Sequence, residues 1–68
     1  LRPGRLVDPP GTGRGTLAPP RLPRGDIPRA DVAAVLMELL DAGHTARTTL
    51  ELVTGPTPIA EAVAALAH

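Results

Sequence analysis

Ile27-Pro28-Arg29-Ala30-Asp31-Val32-Ala33-Ala34-Val35-Leu36-Met37-Glu38-Leu39-Leu40-Asp41-Ala42-Gly43 is the stretch from which the fold is best read. Val32, Val35, Leu36, Leu39 and Leu40 fall at i, i+3, i+4, i+7 and i+8, which places them on one helical face. Pro28 suits the first helical position, where its missing N–H costs nothing, and Asp31 in the first turn complements the helix dipole. Gly43 suits the left-handed position that ends a helix. The spacing therefore predicts a helix over 28–40, with Met37 widening its apolar stripe.

Downstream, Thr48-Thr49-Leu50-Glu51-Leu52-Val53 alternates like a strand, with Leu50 and Leu52 on one face and Thr49 and Glu51 on the other. Gly55-Pro56 is expected to end it. Thr57 then reads as a helix cap and Pro58 as the first helical residue. Ile59, Val63 and Leu66 follow at i, i+4 and i+7, with Ala62 beside them, so a second helix is expected over 58–67. Upstream, residues 1–27 hold six of the nine Pro and five of the seven Gly and read as a Pro/Gly/Arg-rich loop following a strand end. Loop, helix 28–40, strand 48–53 and helix 58–67 make an α/β class with too few strands for its own sheet.

The 68 residues include no Phe, Trp, Tyr, Cys, Lys, Ser, Asn or Gln, and seven Arg balance seven acids. Without Cys there is no disulfide framework, and two His alone make a structural zinc site improbable. Zero net charge without aromatics argues against a nucleic-acid partner. No apolar run approaches the ~20 residues of a membrane span, and no leader is visible, so a cytoplasmic protein away from membranes is expected. Eighteen large aliphatic residues are few for a chain of this composition, and the chain opens on Leu1. A fragment is expected.

Candidate chemistry is sparse. Gly11-Thr12-Gly13-Arg14-Gly15 has the glycines of a phosphate cradle, but Pro9-Pro10 and Pro19-Pro20 stand where its strand and helix should be. A flexible turn is the weightier reading. Six of the seven Arg lie within the first 29 residues (Arg2, Arg5, Arg14, Arg21, Arg24, Arg29), which fits either an anionic partner or a solvated loop. His44 and His68 read as surface residues, and no two carboxylates make an evident acid/base pair. The commonest nucleophiles and the Tyr–Lys proton-transfer pair are missing. No catalytic residue and no metal ligand is expected in this chain.

Leu1-Arg2-Pro3-Gly4-Arg5-Leu6, Ile27-Pro28-Arg29-Ala30-Asp31-Val32-Ala33, Thr49-Leu50-Glu51-Leu52-Val53 and Pro58-Ile59-Ala60-Glu61-Ala62 occur in a distinctive order. Together they resemble the C-terminal third of atypical short-chain dehydrogenase/reductase proteins, the NAD(P)H-binding, NmrA-like and epimerase-like group. There a strand ends in Arg-Pro-Gly, a helix opens with Ile-Ser-Arg-x-Asp-Val-Ala, and a last helix begins Thr-Pro-Ile. The resemblance covers nearly the whole chain. Pro28 replaces the family's capping Ser, a change worth about 1 kcal/mol of helix stability.

The resemblance implies a parent oxidoreductase with a doubly wound Rossmann fold that binds NAD(P), with NADP favoured, at the carboxyl ends of its strands. Residues 28–68 would be the helix-strand-helix C-terminal portion of that domain. Arg2, Pro3 and Gly4 would be cofactor-binding residues at the nicotinamide end, with the loop from Arg5 to Asp26 forming part of the substrate side. The parent's Gly-rich fingerprint and Tyr–Lys pair would lie outside these residues, so the isolated chain is expected to be inactive and to hold no cofactor. Its partner would be the missing N-terminal Rossmann portion, or another surface covering helix 28–40. A second expectation is a small non-enzymatic interaction module that uses helix 28–40 to bind a partner or self-associate. A third is an anion-binding peptide built on the Arg cluster.

Overall fold

In the computed structural model, which describes residues 1–42 and 49–67, five short strands and two helices form a mixed α/β architecture. The strands are β1 (Arg2–Pro3), β2 (Arg5–Val7), β3 (Arg14–Ala18), β4 (Asp26–Pro28) and β5 (Glu51–Pro58). Helix α1 spans Arg29–Asp41, and α2 spans Ile59–Ala64 before a 3-10 turn at Ala65–Ala67. One sheet has the order β1-β5-β3 and the other pairs β2 with β4. β1 runs parallel to β5, β2 runs parallel to β4, and β3 is antiparallel to β5.

The stretch 1–27, expected as loop, thus carries β1, β2, β3 and most of β4. Proline content misleads here because the prolines bound the strands more often than they interrupt them. Pro9-Pro10 and Pro19-Pro20 lie on either side of β3, and Pro3 is the last residue of β1. Pairing partners far along the chain, which composition does not reveal, supply the hydrogen bonds that make these pieces strands.

The strand expected over 48–53 is also longer. Thr48 lies outside the described residues, and β5 runs past Gly55-Pro56 to Pro58. Thr57 pairs with Gly15, but Val53 already pairs with Thr16, so the register shifts between Gly15 and Thr16. Thr54-Gly55-Pro56 is therefore an irregularity in the ladder, where a proline can sit without removing a needed donor. Arg14 secures it by donating from Nη1 to the Pro56 carbonyl at 2.8 Å. A Cβ on Gly55 would run into the Thr16 hydroxyl, so only glycine passes there.

Both helices begin one residue later than expected. Pro28 and Pro58, at φ −59 and −52, are the cap residues themselves, and neither helix has a side-chain cap bond. Thr57, expected as a cap, is held in β5 against Gly15. α1 ends with the Ala42 N–H on the Glu38 carbonyl at 2.9 Å. Gly43, expected to end this helix, and the two His lie outside the described residues.

The core forms where α1 packs on α2 and β4, and α2 packs on β3 and β5. Ile27, Val35, Leu39, Leu52, Ile59 and Val63 make one buried cluster, with Leu1, Leu17, Val32, Ala34 and Leu66 around it. Each large side chain so buried contributes roughly 2 kcal/mol. The stripe expected on α1 is rotated: Asp31, Val35 and Leu39 face inward, while Leu36 and Leu40 are 46% and 73% exposed. Among the described residues, no helix is long and apolar enough to cross a membrane.

Candidate functional site

Arg2, Pro3 and Gly4 meet at a cleft of about 510 Å³, lined also by Arg5, Leu22, Pro23, Arg24, Gly25, Asp26, Glu51 and Val53. The floor is set by the passage of the chain from one sheet to the other. The Arg2 N–H donates to the Leu50 carbonyl and the Gly4 N–H to the Leu52 carbonyl, each at 2.7 Å. One residue later, the Arg5 N–H donates instead to the Gly25 carbonyl at 3.0 Å. Gly4 is the switching residue. A Cβ there would collide with the Gly25 carbonyl and lie 3.1 Å from the Val53 side chain. A Cβ on Gly25 would likewise come within 3.1 Å of the Val53 side chain.

The walls are pinned by polar contacts. Register places Arg5 beside Asp26, and the two form a paired ion contact, Nε to Oδ1 at 3.1 Å and Nη2 to Oδ2 at 3.2 Å. The hydrogen bond to Asp26, and then its charge, push the already basic Arg5 guanidinium higher still. Both side chains are exposed, so this pair orients the rim more than it stabilises the fold. Glu51 accepts the Leu22 N–H at 2.7 Å, and the Thr54 hydroxyl donates to the Asp26 carbonyl at 2.8 Å. Arg2 and Arg24, both exposed, complete the cleft with guanidinium groups that form no ion pair among the described residues.

The Gly-rich turn lies elsewhere and has a different role. Asp31, 2% exposed, points its carboxylate into it. Oδ2 accepts the Thr12 N–H at 3.0 Å, and Oδ1 accepts the Gly13 N–H at 2.9 Å. The Thr12 hydroxyl lies 3.2 Å from Oδ2 and 3.1 Å from the Arg14 carbonyl, so its single proton serves one of the two. Gly13 adopts φ +73, and its carbonyl accepts the Ile59 N–H at 3.0 Å. The turn is an anion cradle, but its anion is the chain's own Asp31, which leaves no seat for a phosphate. Asp31 does more than its expected part as a first-turn acid, because it fastens the start of α1 to the turn that receives α2.

The Arg cluster is divided by the fold. Arg2, Arg5 and Arg24 face the cleft, Arg14 holds β5, and Arg29 pairs with Asp8 at 3.1 Å. Among the described residues, no group of three His, Asp or Glu is placed to hold a metal ion. Gly25 and Asp26 close the loop expected on the substrate side, whereas Glu51 and Val53 were not expected at the cleft. Their roles depend on the pairing of β2 with β4 and β1 with β5, for which the chain gives no local signal.

The cleft lies open beside the parallel β1–β5 pair of a mixed α/β chain, with Arg2, Pro3 and Gly4 on its wall. No family model and no solved structure matches the chain. Over 63 residues, 93% of the chain, it is 44% identical to YhfK, an uncharacterized sugar epimerase of Bacillus subtilis (strain 168). The chain spans 29% of that relative's length.

Proposed function

We propose that this chain is the C-terminal portion of an NAD(P)-binding, oxidoreductase-like Rossmann protein of the atypical short-chain dehydrogenase/reductase kind. The observation that carries this reading is the position of Arg2, Pro3 and Gly4, which form parallel strand β1 and its carboxyl-end exit and stand on the wall of the cleft. Ligands of open α/β sheets lie at such strand ends. Likeness to part of a sugar epimerase supports the same class.

The residues present fit one end of a dinucleotide. Arg2 and Arg24 offer guanidinium donors to a carboxamide, ribose or anionic substrate group, and Pro3-Gly4 presents a wall low enough for close approach. The pyrophosphate does not fit here, because Asp31 fills the one glycine-rich turn. When bound, a nicotinamide cofactor supplies hydride transfer. The groups in this chain bind and orient; the proton-transferring groups and phosphate cradle belong to the missing N-terminal portion, which is the proposed partner.

The test joins the chain to the part of the Bacillus subtilis relative that it does not match. The 68-residue chain alone is expected to bind no NADPH, and the joined protein to bind it. Submicromolar NADPH affinity in the chain alone would overturn the reading, as would a folded joined protein without NADPH affinity.

A further inference from the structure

The outer face of α1 has an unusual make-up. Its two inner acids, Asp31 and Glu38, lie on the buried and half-buried side, while Ala30, Ala33, Leu36, Met37 and Leu40 face outward. Met37 is 61% and Leu40 73% exposed, so large apolar side chains stand where a surface helix ordinarily carries charge. The only charges on this face are Arg29 at its start and Asp41 at its end.

Those positions are self-complementary. If a second copy of the helix is laid antiparallel about a two-fold axis, Arg29 meets Asp41 of the second copy. In the same register Ala30 meets Leu40 and Ala33 meets Met37, so Leu40 and Met37 each oppose a small side chain. Leu36 then falls next to the axis. A face that satisfies its own charges and fills its own hollows is what an isologous interface requires. Arg29 already contacts Asp8 but remains 61% exposed, and a guanidinium has donors to spare.

We infer that α1 pairs with α1 of a second copy of this chain, antiparallel, through Ala30, Ala33, Leu36, Met37 and Leu40. A 13-residue helix is about 20 Å long, so the contact falls below the roughly 800 Å² per partner of a standard interface. The association is accordingly weak and depends on concentration. It does not rest on cofactor binding and stands or falls separately from that reading.

Sedimentation equilibrium of the 68-residue chain, from about 10 μM to about 1 mM, is the first test. The mass should rise from 7.0 kDa towards twice that value, and Met37→Glu should hold it at the monomer without altering the circular dichroism. Because the chain has no cysteine, single-cysteine variants report the geometry cleanly. Leu36→Cys, beside the axis, should form a disulfide-linked pair quickly. Leu40→Cys, far from its own copy in the antiparallel register, should do so slowly. A chain that stays monomeric throughout, or equal cross-linking of the two variants, would overturn the inference.

Discussion

Asp31 Oδ1 accepts the Gly13 N–H at 2.9 Å across 18 residues of chain, and this contact sets the rotation of α1. With Asp31 drawn inward, Val35 and Leu39, one and two turns further on, must follow it into the core. Leu36 and Leu40 are thereby turned to the surface. Replacing Asp31 by Ala leaves the Thr12 and Gly13 amides without their acceptor, a loss of about 2 kcal/mol. A lower urea midpoint at unchanged slope is the expected result.

Gly11 and Gly13 of this turn are needed for different reasons, and alanine substitution separates them. Gly13 has open space around it but φ +73, so Gly13→Ala costs about 1–2 kcal/mol in backbone strain alone. At Gly11 a Cβ would lie 2.9 Å from both Asp31 Oδ1 and the Ala30 Cβ. Gly11→Ala should therefore cost less in an Asp31→Ala background than in the native chain. A double-mutant cycle by chemical denaturation measures that coupling.

Burial distinguishes the two sides of α1. Val35→Ala, at a fully buried position, should lower stability by about 1–3 kcal/mol. Leu40→Ala, measured in dilute solution, should change it by less than about 0.5 kcal/mol. The comparison is made by thermal or urea unfolding of both variants.

Gly4 joins the two sheets, so Gly4→Ala should uncouple them locally. The amides of Gly4 and Arg5, bonded to the Leu52 and Gly25 carbonyls, are the reporters. Hydrogen exchange at both should accelerate in Gly4→Ala, while amides within α1 keep their protection.

What the sequence made legible was local. The helix expected over 28–40, which forms over Arg29–Asp41, and the inward side of Leu50 and Leu52 follow from periodicity, and both leucines are buried, though Leu50 stands just ahead of β5. The rotation of α1 was not legible, because it depends on Asp31 finding Thr12 and Gly13 far back in the chain. Strands β1 to β4 were hidden for the same reason: two to five residues each, they exist only through remote partners. Arg2, Pro3 and Gly4 were singled out through family resemblance, and they lie on the cleft. Glu51 reaches the same cleft only through the pairing of β1 with β5, a strand register with no local signal.

The central claim is that Arg2 serves the nicotinamide side of a dinucleotide. It is tested most directly in the protein joining this chain to the remainder of its Bacillus subtilis relative, by titrating the native form and Arg2→Ala with NADPH and with 2′,5′-ADP, its adenylate half. The account predicts that Arg2→Ala weakens NADPH about tenfold or more, the loss of one charge-assisted hydrogen bond, and leaves 2′,5′-ADP unchanged. Equal weakening of both ligands, or no change in either, would contradict it.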